Sequence, residues 1–395
     1  MKVLHIYCGN PEIANRLQLQ LQYASGKWTT EIILRDYELS DYSIPAGCHR
    51  IRHLLQRHSV VTSRNSLVRK IQSIVLYVIN PVILYIWLAR SDADILHAHE
   101  HPSLWAASFW TLILRRPAIW DPHDVHHHDE KHRHLVRHCA IKRLLERLLV
   151  RQKVKVLVVS KGMKRVYDCA YPSARAIVLQ SLPAATNCKS DTIFARSPKS
   201  LQELRNSLCN GYIRIVYPGL IRPTRIALDL IDLIAHQKNI LFDIYGYDSK
   251  GEYEKTLKEL LATKQIDNVR IMGPYTPQSI VPILNYYHFA IFPFQLGPLN
   301  ISICRPNKFY QCILAGLPLI VTDMEELGKT ILQNGLGYVF PCGHYEALMA
   351  FFETFNTQSA VYERMIQNVI SFGQRHMNYE EEKQKLLDLY THTLK

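Results

Sequence analysis

Three stretches of the sequence hold residue types that could do chemistry. In the first, Asn307 and Lys308 follow Pro306 and open a run, roughly 307–315, that reads as a helix. Gly316 and Pro318 close it, and Leu319-Ile320-Val321 starts a buried strand. A helix placed this way points its first N–H groups at any anion in front of it, and Lys308 adds positive charge at the same end. The second stretch is Tyr217-Pro218-Gly219-Leu220-Ile221-Arg222-Pro223-Thr224-Arg225. It follows a strand, and its guanidinium groups can grip phosphate oxygens bidentately. The third is a pair of imidazole–carboxylate segments, His97-Ala98-His99-Glu100 and Asp121-Pro122-His123-Asp124, each at the end of an apolar strand.

Histidines continue past His123, at His126, His127, His128, His132, His134 and His138. No Cys/His pair with zinc-finger spacing follows, and Lys131, Arg133 and Arg137 would repel a cation, so no metal is expected. The segment reads as a basic loop near lipid phosphates or as a solvated loop.

The elements that must position these residues alternate between strands and helices. In the first half, strands are expected at Val3–Tyr7, 31–34, Ile95–His99, 117–120 and 154–159, with helices at about 12–23, 139–152 and from Lys161. Cys8-Gly9-Asn10 turns the chain after the first strand. Residues 184–212 are polar and read as a linker. A second series follows, with strands at 214–217, 241–245, 269–272, Phe289–Phe292, 319–321 and 338–340, a helix at 226–236 and a helical, charged tail over about 361–394. Strands alternating with helices imply parallel sheets, which place ligands at the carboxyl ends of their strands. Two such domains in tandem are expected to set two of these edges across one cleft.

The chain has 395 residues, enough for two domains, and is 48% hydrophobic, enough for full cores. Its formal charge of +13 favours an anionic partner: a phosphorylated substrate, a membrane surface or nucleic acid. No motif supports nucleic acid. Nine scattered cysteines without a CxxC fit a reduced compartment better than a disulfide framework. The start reads as a strand and not as a signal peptide. The apolar run 74–89 is short for a membrane span, and Asn80-Pro81 is expected to interrupt it. A helix lying against a bilayer is the expectation there.

Over nearly its full length the sequence resembles the GT-B glycosyltransferases, the family-4-like group that uses nucleotide sugars. Residues 306–318 resemble that family's "Pro-Asn-Lys … Ala-Gly-x-Pro" signature, and 219–225 its "Gly-Arg-Leu-x-x-x-Lys-Gly" stretch, with Arg225 at the lysine position, Leu220 at the arginine position and Arg222 as its replacement. Asp121-Pro122-His123-Asp124 resembles its "Asp-Ala-His-Glu" loop, and 97–99 its "His-Ala-His" strand end. The family commonly has two glutamates eight positions apart. Ile303 and Gln311 stand there in this chain.

The resemblance implies an α/β, GT-B architecture: a Rossmann-like acceptor-side domain over 1–190, a nucleotide-sugar-binding domain over 191–375, and a C-terminal helix over 376–395 that crosses back to the first. It implies a hexosyl-type, retaining transfer from a UDP- or GDP-linked donor to a glycan or lipid-linked acceptor, in cell-surface polysaccharide synthesis. The setting is cytoplasmic, peripheral to the inner membrane face. His123 and Asp124 become active-site residues. Gly219, Arg222, Arg225, Asn300, Ser302, Asn307, Lys308 and Gln311 become donor contacts. No metal and no cofactor beyond the donor are implied. The other readings are an inactive GT-B subunit and a sugar-nucleotide epimerase of the same fold.

Overall fold

The computed structural model describes residues 1–7, 15–34, 47–54, 66–100, 103–125, 144, 146–148, 154–173, 175–183, 198–248, 251–276, 279–295, 299–303, 305–355 and 359–394. The chain divides into two compact units. One is Met1–Ala184 together with Tyr379–Lys395, and the other is Ala185–Asn378.

The first unit is built on seven parallel strands: β1 (Lys2–Tyr7), β2 (Thr29–Leu34), β3 (Arg50–His53), β4 (Ile95–His99), β5 (Ala118–Asp121), β6 (Lys155–Val158) and β7 (Ile177–Val178). They lie in the order β3-β2-β1-β4-β5-β6-β7. The second unit has β8 (Ile213–Pro218), β9 (Ile240–Tyr245), β10 (Val269–Gly273), β11 (Phe289–Phe292), β12 (Leu319–Thr322) and β13 (Gly337–Phe340), in the order β10-β9-β8-β11-β12-β13. In each sheet the winding reverses once, between β1 and β4 and between β8 and β11. That reversal is where an open α/β sheet leaves a crevice for ligands.

The central strands are buried along their whole length, as strands covered on both faces must be. β4, β5, β11 and β12 have no exposed residue, which explains their unbroken apolar runs. Trp110, Trp120 and Tyr167 fill the first core, and Phe242, Phe289, Phe292 and Phe294 the second. Burying one large apolar side chain stabilises by about 1.5–3 kcal/mol.

Two expectations change. The stretch read as a linker contains the helix Pro198–Cys209. Its Leu204 and Leu208, one turn apart, are buried, and Arg205 pairs with Glu363 at 2.6 Å. Two leucines in a polar segment are a faint signal, but they suffice once a neighbouring helix covers them. Residues 184–197 of that stretch lie outside the described residues. The helix Ser66–Ala89 runs straight through Pro81. A proline inside a helix removes one backbone bond, and the other turns carry it. Among the described residues no helix is long and apolar enough to cross a membrane. The five described cysteines, Cys48, Cys169, Cys209, Cys312 and Cys342, are free thiols.

The turn at Cys8-Gly9-Asn10 and the histidines from His126 to His138 lie outside the described residues, as does most of the helix expected over 139–152. The helix expected from residue 12 is described over Asn15–Ala24. The final helix, Tyr379–Thr393, packs against Asn15–Ala24. It is tied there by Glu382, which accepts from the backbone of Gln180 at 2.7 Å, and by Tyr379, whose hydroxyl donates to the Pro183 carbonyl at 2.5 Å.

Candidate functional site

In the second unit the site forms around the ends of β8 and β11. The loops after β8, β9 and β10 are zipped together. Gly219 donates to Tyr245 at 2.7 Å, Ile221 to Tyr247 at 3.0 Å, and Gly246 to Gly273 at 2.7 Å. Gln295, after β11, donates to Thr224 at 3.0 Å and joins the two strands that flank the reversal. Gly246 approaches the Gly219 carbonyl so closely that any Cβ at 246 would strike it.

The helix Asn307–Leu314 starts from an extended Pro306 that offers no side-chain cap, and Phe309 N donates to the Pro306 carbonyl at 2.9 Å. Its second residue, Lys308, carries its ammonium into the space where a Cβ on Gly219 would stand, 5.4 Å from the Tyr217 ring centre. Arg225 lays its guanidinium over the Phe294 ring at 3.9 Å. Lys308 and Arg225 thus sit on aromatic rings around one backbone turn. Just before the helix, Arg305 is held by Glu326 at 3.2 Å and Thr330 at 3.1 Å.

The other expected donor residues are spread around this centre. Arg222 is exposed in the turn, its carbonyl accepting from Arg225 N at 2.9 Å. Asn307 is exposed at the helix start. Asn300 and Ser302 stand half-buried on the short helix Leu299–Ile303, whose Ile303 is buried. Gln311 is only 6% exposed, and its Oε1 has no hydrogen-bond partner.

In the first unit a polar cluster lies under one face of the sheet. Register explains it. His5 of β1 is opposite His97 of β4, and His99 is opposite Asp121 of β5, so all four side chains share a face. The helix Asn15–Ala24 brings Arg16 and Gln20 onto that face. Both donate to Asp121 Oδ2, at 2.7 and 2.8 Å. Arg16 also reaches the Leu179 carbonyl at 2.7 Å and Ser181 Oγ at 3.0 Å. The final helix adds Tyr390, whose hydroxyl is 2.9 Å from His97 Nδ1.

A line of imidazoles leads outward. His5 Nδ1 is 3.0 Å from His99 Nε2, and His99 Nδ1 is 3.3 Å from His123 Nε2. Beyond it, His123 Nδ1 is 3.7 Å from Glu100 Oε1. Asp124 is exposed beside them.

Burial sets the charges. It holds His5 and His99 neutral far below the usual imidazole range, and lowers His97 to about 3 and His123 to about 4, although Asp121 pulls these last two upward. At Asp121 burial favours the neutral acid, but Arg16 and the histidines outweigh it and keep the carboxyl below its usual range. Glu100 goes the other way. Burial first, then Asp124 and Asp121, push it up to about 7.

Two triads have ligand atoms within 4.8 Å of one another: His5, His97 and His99, and His99, Asp121 and His123. In the first, His5 Nδ1 and His99 Nε2 are engaged with each other at 3.0 Å, and His97 Nδ1 with the Tyr390 hydroxyl at 2.9 Å. In the second, Arg16 and Gln20 occupy Asp121 Oδ2, and the Arg16 cation already pairs with this carboxylate, whose Oδ1 has no partner.

By sequence, the chain matches no family model and no curated protein. By structure it is similar along its whole length to solved glycosyltransferases. HepE of Anabaena in complex with UDP is 12% identical, with a TM-score of 0.73 over 99% of this chain and 100% of that one. Sucrose-phosphate synthase of Thermosynechococcus elongatus is 15% identical, with a TM-score of 0.74 over 99% and 98%. WaaG, a glycosyltransferase involved in lipopolysaccharide biosynthesis, is 15% identical, with a TM-score of 0.63 over 98% of both chains. The chain has the GT-B fold.

Within this GT-B fold the sequence picked out His99, His123, Gly219, Arg225 and Lys308, which stand at strand ends or helix starts. It also named Glu100 in the segment after His99, and it missed Arg16, Gln20, His5 and Tyr390. The strand alternation of His97 and His99 with Asp121 was a usable signal for a polar face, but nothing in sequence pointed to the helix that covers it.

Proposed function

We propose that the chain is a glycosyltransferase. It moves a hexosyl group, with retention of anomeric configuration, from a UDP- or GDP-linked donor to a glycan or lipid-linked acceptor in cell-surface polysaccharide synthesis. The observation that carries this reading is the Lys308 ammonium against Gly219, at the head of a helix beside the reversal of the second sheet. A diphosphate needs such a site: N–H donors, a lysine, and a glycine that lets the ligand approach the backbone. Arg225 and Arg222 supply further positive charge, so the leaving diphosphate is stabilised by side chains and helix dipole with no cofactor beyond the donor. The likeness to HepE solved with UDP and with UDP-glucose supports a nucleotide sugar as the donor.

The first unit is assigned the acceptor, with His123 and Asp124 at its site. The protein works at the inner face of a membrane. Ile79, Val82 and Ile86 are exposed at helical spacing on Ser66–Ala89, a face suited to the lipid interface, and the excess positive charge favours anionic lipid.

Calorimetry with UDP and GDP is the first test, followed by product analysis with UDP- and GDP-sugars and lipid-linked acceptors. Binding of one nucleotide and formation of a glycosylated product are expected. A protein that takes neither nucleotide rejects the reading. Flotation with anionic vesicles at low salt, lost at high salt, tests the membrane part.

A further inference from the structure

Glu100 is held in an unusual way. Its φ is +60°, in the left-handed region that non-glycine residues avoid, and His123 shares this feature at +56°. Such conformations cost roughly 1–3 kcal/mol and persist where surrounding bonds enforce them. Here they do. Glu100 N donates to the Asp121 carbonyl at 2.8 Å, and the Glu100 carbonyl accepts from Ser103 Oγ at 2.7 Å and from Trp120 Nε1 at 3.5 Å. The two strained residues end neighbouring strands and turn their side chains toward each other, Oε1 to Nδ1, at 3.7 Å. That is too long for a direct hydrogen bond. It is the right base for a triangle whose apex is one oxygen about 2.8 Å from each atom.

The histidine line decides which protons are present. If protons point outward, His5 donates to His99, His99 donates to His123 Nε2, and His123 carries its own proton on Nδ1. If they point inward, His5 Nε2 must carry a proton. That atom is buried and has no partner, and a buried N–H without an acceptor is a costly arrangement. The outward direction leaves only a lone pair there, and it places the His123 Nδ1 proton opposite the Glu100 carboxylate.

We propose that Glu100 and His123 together bind the hydroxyl group of the acceptor that receives the sugar, with His99 and His5 as positioning residues that set the His123 tautomer. A hydroxyl is at once a donor and an acceptor. It accepts from His123 Nδ1–H and donates to the Glu100 carboxylate, and no single residue of the pair offers both. This deepens the glycosyltransferase reading and rests on it. The groups facing Glu100 include His123 and the carboxylates of Asp121 and Asp124, and behind His123 lie His99 and Arg16. Because burial and these two carboxylates hold Glu100 near pH 7, the hydroxyl site loses its carboxylate acceptor as pH falls through that value.

The test uses the full chain labelled with 15N-histidine, methyl glucoside as the hydroxyl probe, and the Glu100→Gln variant. His123 is expected to show its proton on Nδ1. Its signals are expected to shift saturably with methyl glucoside at pH 8, several-fold less at pH 6, and equally weakly at both pH values in Glu100→Gln. A proton on His123 Nε2, or a response equal in the wild type and the variant at pH 8, overturns the proposal. UDP calorimetry on the same samples separates the two claims. Equal UDP affinity in both proteins is expected, whereas a chain that binds neither UDP nor GDP rejects the glycosyltransferase reading whatever Glu100 does.

Discussion

The ammonium of Lys308 occupies the space in which a side chain on Gly219 would begin. The glycine is therefore part of the lysine's seat, and in the proposed reading the two residues form one anion site. Gly219→Ala is expected to push the Lys308 ammonium aside and, at φ +158°, to strain the backbone by roughly 1–3 kcal/mol, weakening UDP binding. Lys308→Ala removes a charge-assisted bond worth about 1.5–3 kcal/mol, or roughly 10–150-fold in affinity. Calorimetry of both variants checks this. Affinity unchanged in both would remove the pair from the donor site.

Gly246 presents a harder obstacle to the same substitution. Its φ is +153°, and a Cβ there meets the Gly219 carbonyl, which is backbone and cannot swing aside. Gly246→Ala is expected to destabilise the second unit by about 2–4 kcal/mol, in the range of strained or overpacked sites. A melting curve by circular dichroism that matches wild type would show that the loops after β8 and β9 are not locked together.

Arg16 and Asp121 form a buried ion pair at 2.7 Å, with side chains 6% and 0% exposed. Removing one partner leaves an uncompensated buried charge, which costs about 3–5 kcal/mol. Arg16→Met should therefore be strongly destabilising, and Asp121→Leu added to it should recover part of the loss. All five tryptophans, at 28, 87, 105, 110 and 120, lie in the first unit, so their fluorescence follows its unfolding in urea. A double variant less stable than Arg16→Met alone would argue against this pairing.

The buried histidines make the first unit sensitive to acid. Burial keeps His5, His97, His99 and His123 neutral in the folded state near neutral pH, while unfolded histidine gains its proton near pH 6.5. Below that pH the unfolded chain binds more protons, so stability is full above about 6.5 and falls as pH falls. Each linked proton contributes about 1.4 kcal/mol per pH unit. Glu100, shifted upward, opposes this with one proton between its usual value of 4.5 and about 7. Four groups against one give a net loss. The tryptophan-detected urea midpoint should drop clearly from pH 7.5 to pH 5.5. An equal or higher midpoint at pH 5.5 would mean that these imidazoles are solvated.

The sequence by itself determined what is local. Apolar runs gave β4 at Ile95–His99 and β11 at Phe289–Phe292 to the residue, and the Pro-Asn-Lys start and Ala-Gly-x-Pro end gave the helix Asn307–Leu314. These elements are legible because a strand buried on both faces, or a helix with its own stop signal, writes its pattern into consecutive residues. The polar face of the first sheet was decided only by tertiary structure. Arg16 reaches Asp121 across 105 positions, His5 meets His99 across 94, and Tyr390 meets His97 across 293. None of these residues is distinctive alone. A lone arginine on an amphipathic helix reads as surface, and only the order of the strands and the return of the final helix bury it against a carboxylate. Gln311 shows the same limit, since the resemblance makes it a donor contact, while its burial to 6% exposure is set by packing. Burial, and with it the charge state and tautomer of each imidazole, depends on what covers a side chain, and the covering elements lie a hundred or more residues away.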